Sequence, residues 1–271
     1  MGNHSSSTYW NERFRLYGES RGTYKAICSY GMPYLYNKYI DIVQKKAFKT
    51  ALNTLPLEGK RVLDFGCGTG RWCRILAAKG ADVTGVDISE QAIALAQRTT
   101  ESNRVRYLVS AIADLELPPH SFDIICCVTV LQHVTDPVEL QRSLAVIKRL
   151  LKHDGTLVIM EVAPTVTARR HSTGVLSVRT EAMYLEQLTG IGLVLEMVLS
   201  TDVVALVQKR LIPLSAHLRQ RLFRALVNTA VLIALPVDFL FAGSRFLRSC
   251  SWHKVFVFSN NQEAHNREGR P

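Results

Sequence analysis

Two rhythms of apolar and polar positions alternate along this chain, and the points where one gives way to the other mark its architecture. From Arg61 onward, short apolar runs interleave with stretches of helical periodicity. The pattern predicts strands over 61–65, 82–87, 105–109, 122–128 and 156–162, and helices over about 70–79, 90–101 and 137–151. The runs Ile124-Ile125-Cys126-Cys127-Val128 and Leu157-Val158-Ile159-Met160 are apolar without alternation, as strands covered on both faces of a parallel sheet must be. The helix over 137–151 carries its own punctuation. Asp136 stands as N-cap, Pro137 takes the first helical position, Glu139 is the reciprocal capping residue, and Leu140, Leu144, Ile147 and Leu151 share one stripe. Further on, 181–188 reads as a helix, 193–200 as a sixth strand and 254–258 as the last strand.

Two segments break this alternation. Residues 1–58 form an expected N-terminal helical cap, with one helix over 34–55 bounded by Pro33 and Pro56. Its many tyrosines either pack the cap on the sheet or line a substrate cavity. Residues 210–251 form an insertion before the last strand, with 59–209 as the core, 252–260 as its closing strand and 261–271 as a disordered tail. The insertion contains an apolar run from Ala225 to Ala242, interrupted by Asn228, Thr229, Pro236 and Asp238. An aspartate near the middle of a spanning helix is costly, and spanning does not fit between two strands of one sheet. A helical lid and an interfacial wedge on anionic lipid both remain open, and either favours a hydrophobic acceptor.

Chemistry enters at the first strand. Val62-Leu63-Asp64-Phe65-Gly66-Cys67-Gly68-Thr69-Gly70 is an apolar strand ending in an acid, followed by three alternating glycines. Glycine accepts positive φ and lacks a Cβ, so the backbone can turn from strand to helix and approach a ligand closely. A dinucleotide fingerprint requires glycine or alanine at position 71, which here is Arg71. The next predicted strand ends in Asp87, placed to take both ribose hydroxyls of a nucleoside.

On these residues the chain resembles the class I S-adenosylmethionine-dependent methyltransferases that act on small molecules. The resemblance runs over roughly 60–162, with a family-like ending near 253–259. It implies an α/β, Rossmann-like doubly wound sheet of seven mostly parallel strands, the seventh antiparallel. S-adenosyl-L-methionine is the implied cofactor. Gly66, Cys67, Gly68 and Gly70 would hold its methionine end, with Asp64 facing the amino group, Asp87 on the ribose and Ile88 against the adenine face. Asp114 is the nearest match to the acid that marks the adenine amino group, although Ala111 and Ile112 depart from the family's acid-first pattern there. His133, in a segment resembling the family's Leu-x-His, either accepts a proton from the acceptor or positions its loop. Glu161 is expected as a second polar wall of the acceptor pocket. The absence of an Asn/Asp-Pro-Pro-Tyr/Phe segment argues against adenine- and cytosine-amino methylation.

Composition narrows the field. The 271 residues and 47% apolar content suffice for one large core. Six cysteines show neither metal nor disulfide spacing, so no metal is expected and a reduced, cytoplasmic setting fits. Of the net charge of +10, residues 201–271 hold ten Lys or Arg against four Asp or Glu. Most of that excess flanks the apolar run, with few interleaved aromatics to stack bases, so the expected partner is a small or lipid-like acceptor and not nucleic acid. Peripheral membrane contact would run through 219–248. A dinucleotide-dependent oxidoreductase and a non-catalytic cofactor-binding or membrane-associated protein are the alternatives.

Overall fold

The structure is a computed structural model, and it describes residues 6–19, 32–166, 172–204, 207, 211 and 217–260. The expected tail at 261–271 lies outside the described residues, as do Tyr24 and Tyr30. Seven strands form one sheet: β1 (Arg61–Phe65), β2 (Asp82–Asp87), β3 (Val105–Val109), β4 (Phe122–Val128), β5 (Leu151–Val162), β6 (Val194–Ser200) and β7 (His253–Ser259). Their order is β3-β2-β1-β4-β5-β7-β6, and β7 runs antiparallel to both of its neighbours. The helices are α1 (Ser6–Tyr17), α2 (Tyr34–Leu52), α3 (Arg71–Ala77), α4 (Glu90–Thr99), α5 (Pro137–Leu150), α6 (Glu181–Gly190) and α7 (Gln220–Phe241).

The unalternating runs of β4 and β5 sit centrally and are packed on both faces, Ile124, Cys126, Val158 and Met160 into one layer and Ile125, Cys127, Leu157 and Ile159 into the other, which is why neither run has a polar face. The caps form as the sequence dictates. The Asp136 carboxylate accepts the Glu139 N–H at 2.8 Å, the Ser89 hydroxyl accepts the Ala92 N–H at 3.1 Å, and the Thr180 hydroxyl accepts the Met183 N–H at 3.2 Å. Two boundaries differ from expectation by three residues or more. β5 begins at Leu151 because Leu151 pairs with Phe122 across a register irregularity in β4, so α5 stops at Leu150. α2 ends at Leu52, since the Thr54 and Leu55 N–H groups turn back onto the Ala51 and Leu52 carbonyls.

Burial of apolar area is the main stabilising term, and it falls into a layer on each face of the sheet. One layer joins α2, α3 and α7 to the sheet through residues such as Val43, Phe48, Leu76 and Val231. The other joins α5 and α6 through Leu144, Ile147, Tyr184 and Leu188. α2 is therefore part of the main core, with Val43, Ala47, Phe48, Ala51 and Leu52 wholly buried. α7 lies against α2 through Val227, Ala230, Val231 and Ala234. It is pinned there by Asp238, whose carboxylate accepts from the Tyr39 hydroxyl and, at 2.8 Å, from the Val204 N–H.

Candidate active site

β1 runs into a turn in which Gly66, Gly68 and Gly70 all have positive φ, at 63°, 54° and 73°. L-residues with side chains avoid that region, so the turn can be built only with glycine or at a cost in strain. Its path is braced from β2. The Cys67 N–H donates to the Val86 carbonyl at 3.0 Å, and the Gly68 N–H donates to Asp87 Oδ2 at 2.9 Å. The other oxygen of Asp87 accepts the Ser89 N–H at 2.9 Å. Burial raises the Asp87 carboxyl above its ordinary value, while these N–H bonds pull it back down. Asp87 thus shapes the turn in addition to presenting the acid that sequence alone pointed to. The glycines carry a second duty as well: a Cβ at Gly66 would run into the Val130 side chain, and one at Gly70 into the Tyr107 hydroxyl. At these two positions the chain's own packing excludes bulk, independently of any ligand.

Asp64 lies beneath the turn with no exposed surface. Its Oδ2 accepts from the Cys73 thiol at 3.1 Å, and its Oδ1 has no hydrogen-bond partner among the described residues. An unpartnered carboxylate oxygen in the interior is costly unless something cationic meets it. Burial pushes the Asp64 carboxyl up to about 7, against the opposing pull of the Cys73 hydrogen bond and the Arg71 charge. Arg71, the first residue of α3, forms an ion pair with Asp41 of α2 and stacks over the Trp72 ring, 4.3 Å from its centroid. α2 is thereby tied to the start of α3 beside the turn. The Cys67 thiol is buried and held up at about 11, so it stays a neutral side chain.

The expected N-terminal cap supplies a cover over this edge, at a place the sequence did not specify. α1 reaches from the end of β2 to the loop after β4: the Ser89 hydroxyl donates to Asn11 Oδ1 at 2.9 Å, the Ser7 hydroxyl donates to the Ile88 carbonyl at 3.4 Å, and the Trp10 ring meets His133 edge-on at 4.9 Å. Ile88 itself is half-buried at the end of β2. The available signal was the Ser7, Trp10, Asn11, Phe14 spacing, in which polar and aromatic positions share one helical face.

The loop after β4 is held as a unit. Thr129 takes positive φ at 56°, and the next three N–H groups all point at one buried carboxylate. Val130 and Leu131 each donate to Glu161 Oε1 at 2.9 Å, and Gln132 donates to Oε2 at 3.2 Å. Glu161 therefore corrects an expectation: with no exposed surface it does not line an acceptor pocket but anchors the loop after β4. Burial pushes its carboxyl up to about 7, with the three N–H donors opposing. Arg179 closes the loop from outside, donating to the Leu131 carbonyl at 2.8 Å and the Val134 carbonyl at 2.6 Å. His133 is half-buried. Its Nδ1 lies 2.6 Å from the Val175 carbonyl, which can only accept, so Nδ1 carries the proton and Nε2 the lone pair, 3.3 Å from the Gln132 amide nitrogen. Burial pushes its pKa down to about 4.

Asp64, Gly66, Cys67, Gly68, Gly70, Asp87 and Ile88 thus gather at the carboxyl edge of β1 and β2, where open α/β sheets bind ligands. Asp114 does not join them. It sits in a single 3-10 turn after β3, exposed, with its carboxylate 3.5 Å from Arg142 of α5. That placement pairs it with a surface arginine and supplies no contact to the turn.

Residues 63–159 match the family model described as "Methyltransferase domain". Over that stretch the chain carries a methyltransferase domain. The ubiquinone biosynthesis O-methyltransferase of Neisseria meningitidis serogroup C (strain 053442) is 40% identical to it over 104 residues, which cover 36% of this chain and 42% of that protein. The enzyme of the same name from Actinobacillus pleuropneumoniae serotype 5b (strain L20) is 35% identical over 136 residues, 48% of this chain and 54% of its own length. The chain therefore spans about half the length of these relatives. In fold it is similar to magnesium protoporphyrin IX methyltransferase from Synechocystis PCC 6803, solved with bound SAH, at a TM-score of 0.59 and 18% identity over 93% of this chain and 98% of that one.

Proposed function

We propose that this chain transfers a methyl group from S-adenosyl-L-methionine to an oxygen, carbon or nitrogen of a small hydrophobic acceptor. The observation that carries the reading is the Asp87-braced glycine turn with the unpartnered Asp64 oxygen buried beneath it. An ammonium group suits that oxygen, the positive-φ backbone of Gly68, which carries no side chain, suits a close-lying chain, and the lone pairs left on Asp87 suit ribose hydroxyls. When bound, the cofactor supplies a methyl already activated on a sulfonium. The protein's remaining tasks are to align, to exclude water and to shape the acceptor's approach.

Those tasks fall to residues in place. Ile88 offers an apolar contact to the adenine, and α1 covers the edge between the β2 and β4 loops. Glu161 fixes the β4 loop by three backbone bonds. His133 serves best as a positioning residue: its Nδ1–H is spent on Val175, its Nε2 faces the Gln132 amide, and a pKa of about 4 makes it a weak base. The name of the related enzymes favours an oxygen acceptor. None of the five described cysteines is in a disulfide and four are buried, in keeping with a cytoplasmic setting. Arg71, committed to Asp41, stands where a dinucleotide turn needs glycine or alanine.

The test is incubation of the purified chain with trideuteromethyl-labelled cofactor and a lipid-soluble cell extract, followed by mass spectrometry. A labelled, apolar product formed in step with S-adenosylhomocysteine is expected. Cofactor bound but never consumed, across lipid and aqueous extracts alike, would overturn methyl transfer.

A further inference from the structure

Among the described residues the outward face of α7 has no partner, and its composition is unusual for a surface. Nine of the sixteen large apolar side chains exposed among the described residues lie between 222 and 246: Leu222, Leu226, Leu232, Ile233, Val237, Phe239, Leu240, Phe241 and Phe246. Leu222, Leu226, Ile233, Val237 and Leu240 recur at helical spacing along the flank of the buried row of Val227, Ala230, Val231, Ala234 and Asp238, with Leu232 and Phe239 further round toward the side that faces away from it. Leu232, Ile233 and Leu240 are 63%, 63% and 69% exposed, and Phe246 is 93% exposed. A contiguous apolar patch of this kind on a monomer marks a surface that meets something.

Charge identifies what it meets. Arg219, Arg221 and Arg224 stand at one end of the patch and Arg245 and Arg248 at the other, all exposed. Between 219 and 248 the only acid is Asp238, which is fully buried. Along the flank, α2 adds exposed Lys38 and Lys49, and Lys46 lies 4.4 Å from the centroid of the Phe239 ring. A second copy of the chain would not satisfy this rim. Parallel helices would set each arginine cluster against itself, and antiparallel helices would set one cluster against the other. An anionic lipid surface satisfies both the apolar face and the basic rim.

We propose that α7 is a preformed membrane-docking element, lying in the plane of an anionic bilayer with its outward face among the acyl chains and its arginines at the headgroups. The helix is long and apolar enough to cross a membrane by composition, but its attachments keep it on the surface. Its inner face is packed on α2, Asp238 is held by Tyr39 and Val204, and its end is fixed to β6. There the Ser200 hydroxyl donates to the Phe241 carbonyl at 2.9 Å and the Gly243 N–H to the Ser200 carbonyl at 2.8 Å. Docking does not depend on the methyl-transfer reading, because the surface exists whatever the chemistry at the β1 edge.

Vesicle co-sedimentation of the full chain tests this, using phosphatidylcholine vesicles with and without phosphatidylglycerol. Binding is expected only to the anionic vesicles, and it should fall steeply with salt. Replacing Arg219, Arg221 and Arg224 together by Gln should weaken partition on the order of a hundredfold at low ionic strength. Leu232→Asn with Leu240→Asn, at two exposed positions, should abolish binding while leaving the thermal unfolding transition unchanged. No binding to anionic vesicles at low salt would overturn the proposal. So would a dimer in sedimentation equilibrium that the Leu232→Asn/Leu240→Asn variant dissociates, since that would assign the face to a second copy.

Discussion

Asp87→Asn is the substitution that separates the two roles of the turn's central carboxylate. In the folded chain one Asp87 oxygen accepts the Gly68 N–H and the other accepts the Ser89 N–H, both at 2.9 Å. Asparagine keeps the shape but has one oxygen and one NH2 group. Whichever way the amide is turned, an N–H then faces an N–H in a site that is 8% exposed. Leaving one buried backbone donor unsatisfied costs about 1–3 kcal/mol, and loss of a charge-assisted acceptor for a ribose hydroxyl costs about as much again in binding. The expected result is a shift of about 1–3 kcal/mol in urea unfolding and a 10- to 100-fold weaker affinity for S-adenosylmethionine, about 1.4–2.8 kcal/mol, by calorimetry. The two readouts must move together. A variant with wild-type stability and wild-type cofactor affinity would refute the reasoning at both points.

Two further outcomes follow from buried acids. Asp64 has a folded-state value of about 7 against an ordinary 3.8, so its contribution to stability is present at low pH and lost as pH rises. Asp64 should therefore contribute a fall of roughly 1.4 kcal/mol per pH unit to ligand-free stability between about pH 4 and 7, on top of the like contribution of Glu161, while cofactor binding strengthens through about pH 7 with proton release; Asp64→Asn should remove its share of both trends, measured by denaturation and by calorimetry in buffers of different ionisation enthalpy. Glu161→Gln turns an amide N–H toward the N–H groups of residues 130–132. It should cost about 1–3 kcal/mol of stability and lower kcat through a loosened loop without weakening cofactor binding, and an unchanged kcat would remove Glu161 from the positioning role.

The order of strands and helices from 61 to 162 was legible because each buried strand is an unbroken apolar run and each helix carries a cap, as at Asp136 and Ser89. The glycine turn was legible because positive φ at Gly66, Gly68 and Gly70 leaves little choice of residue. What sequence could not show was partnership across distance. Glu161 reads as a polar residue at a strand end, and only the fold reveals three N–H groups converging on it from residues 130–132. Gly70 reads as ligand clearance, yet the Tyr107 hydroxyl occupies the space beside it. Asp114 sits at a plausible interval after β3, but one 3-10 turn carries it out to Arg142. For α7 the apolar content was evident, whereas the division into a face held by α2 and a bare face depends on which side Asp238 and the small residues bury.

The central claim is that the β1 edge holds S-adenosylmethionine and not a dinucleotide. Equilibrium dialysis of the intact chain against labelled S-adenosylmethionine tests it most directly, with S-adenosylhomocysteine and NADH as competitors. Saturable binding that S-adenosylhomocysteine displaces, that NADH leaves untouched and that Gly68→Val abolishes is the predicted result. Retention of labelled NADH, or no retention of S-adenosylmethionine by folded protein, would contradict it.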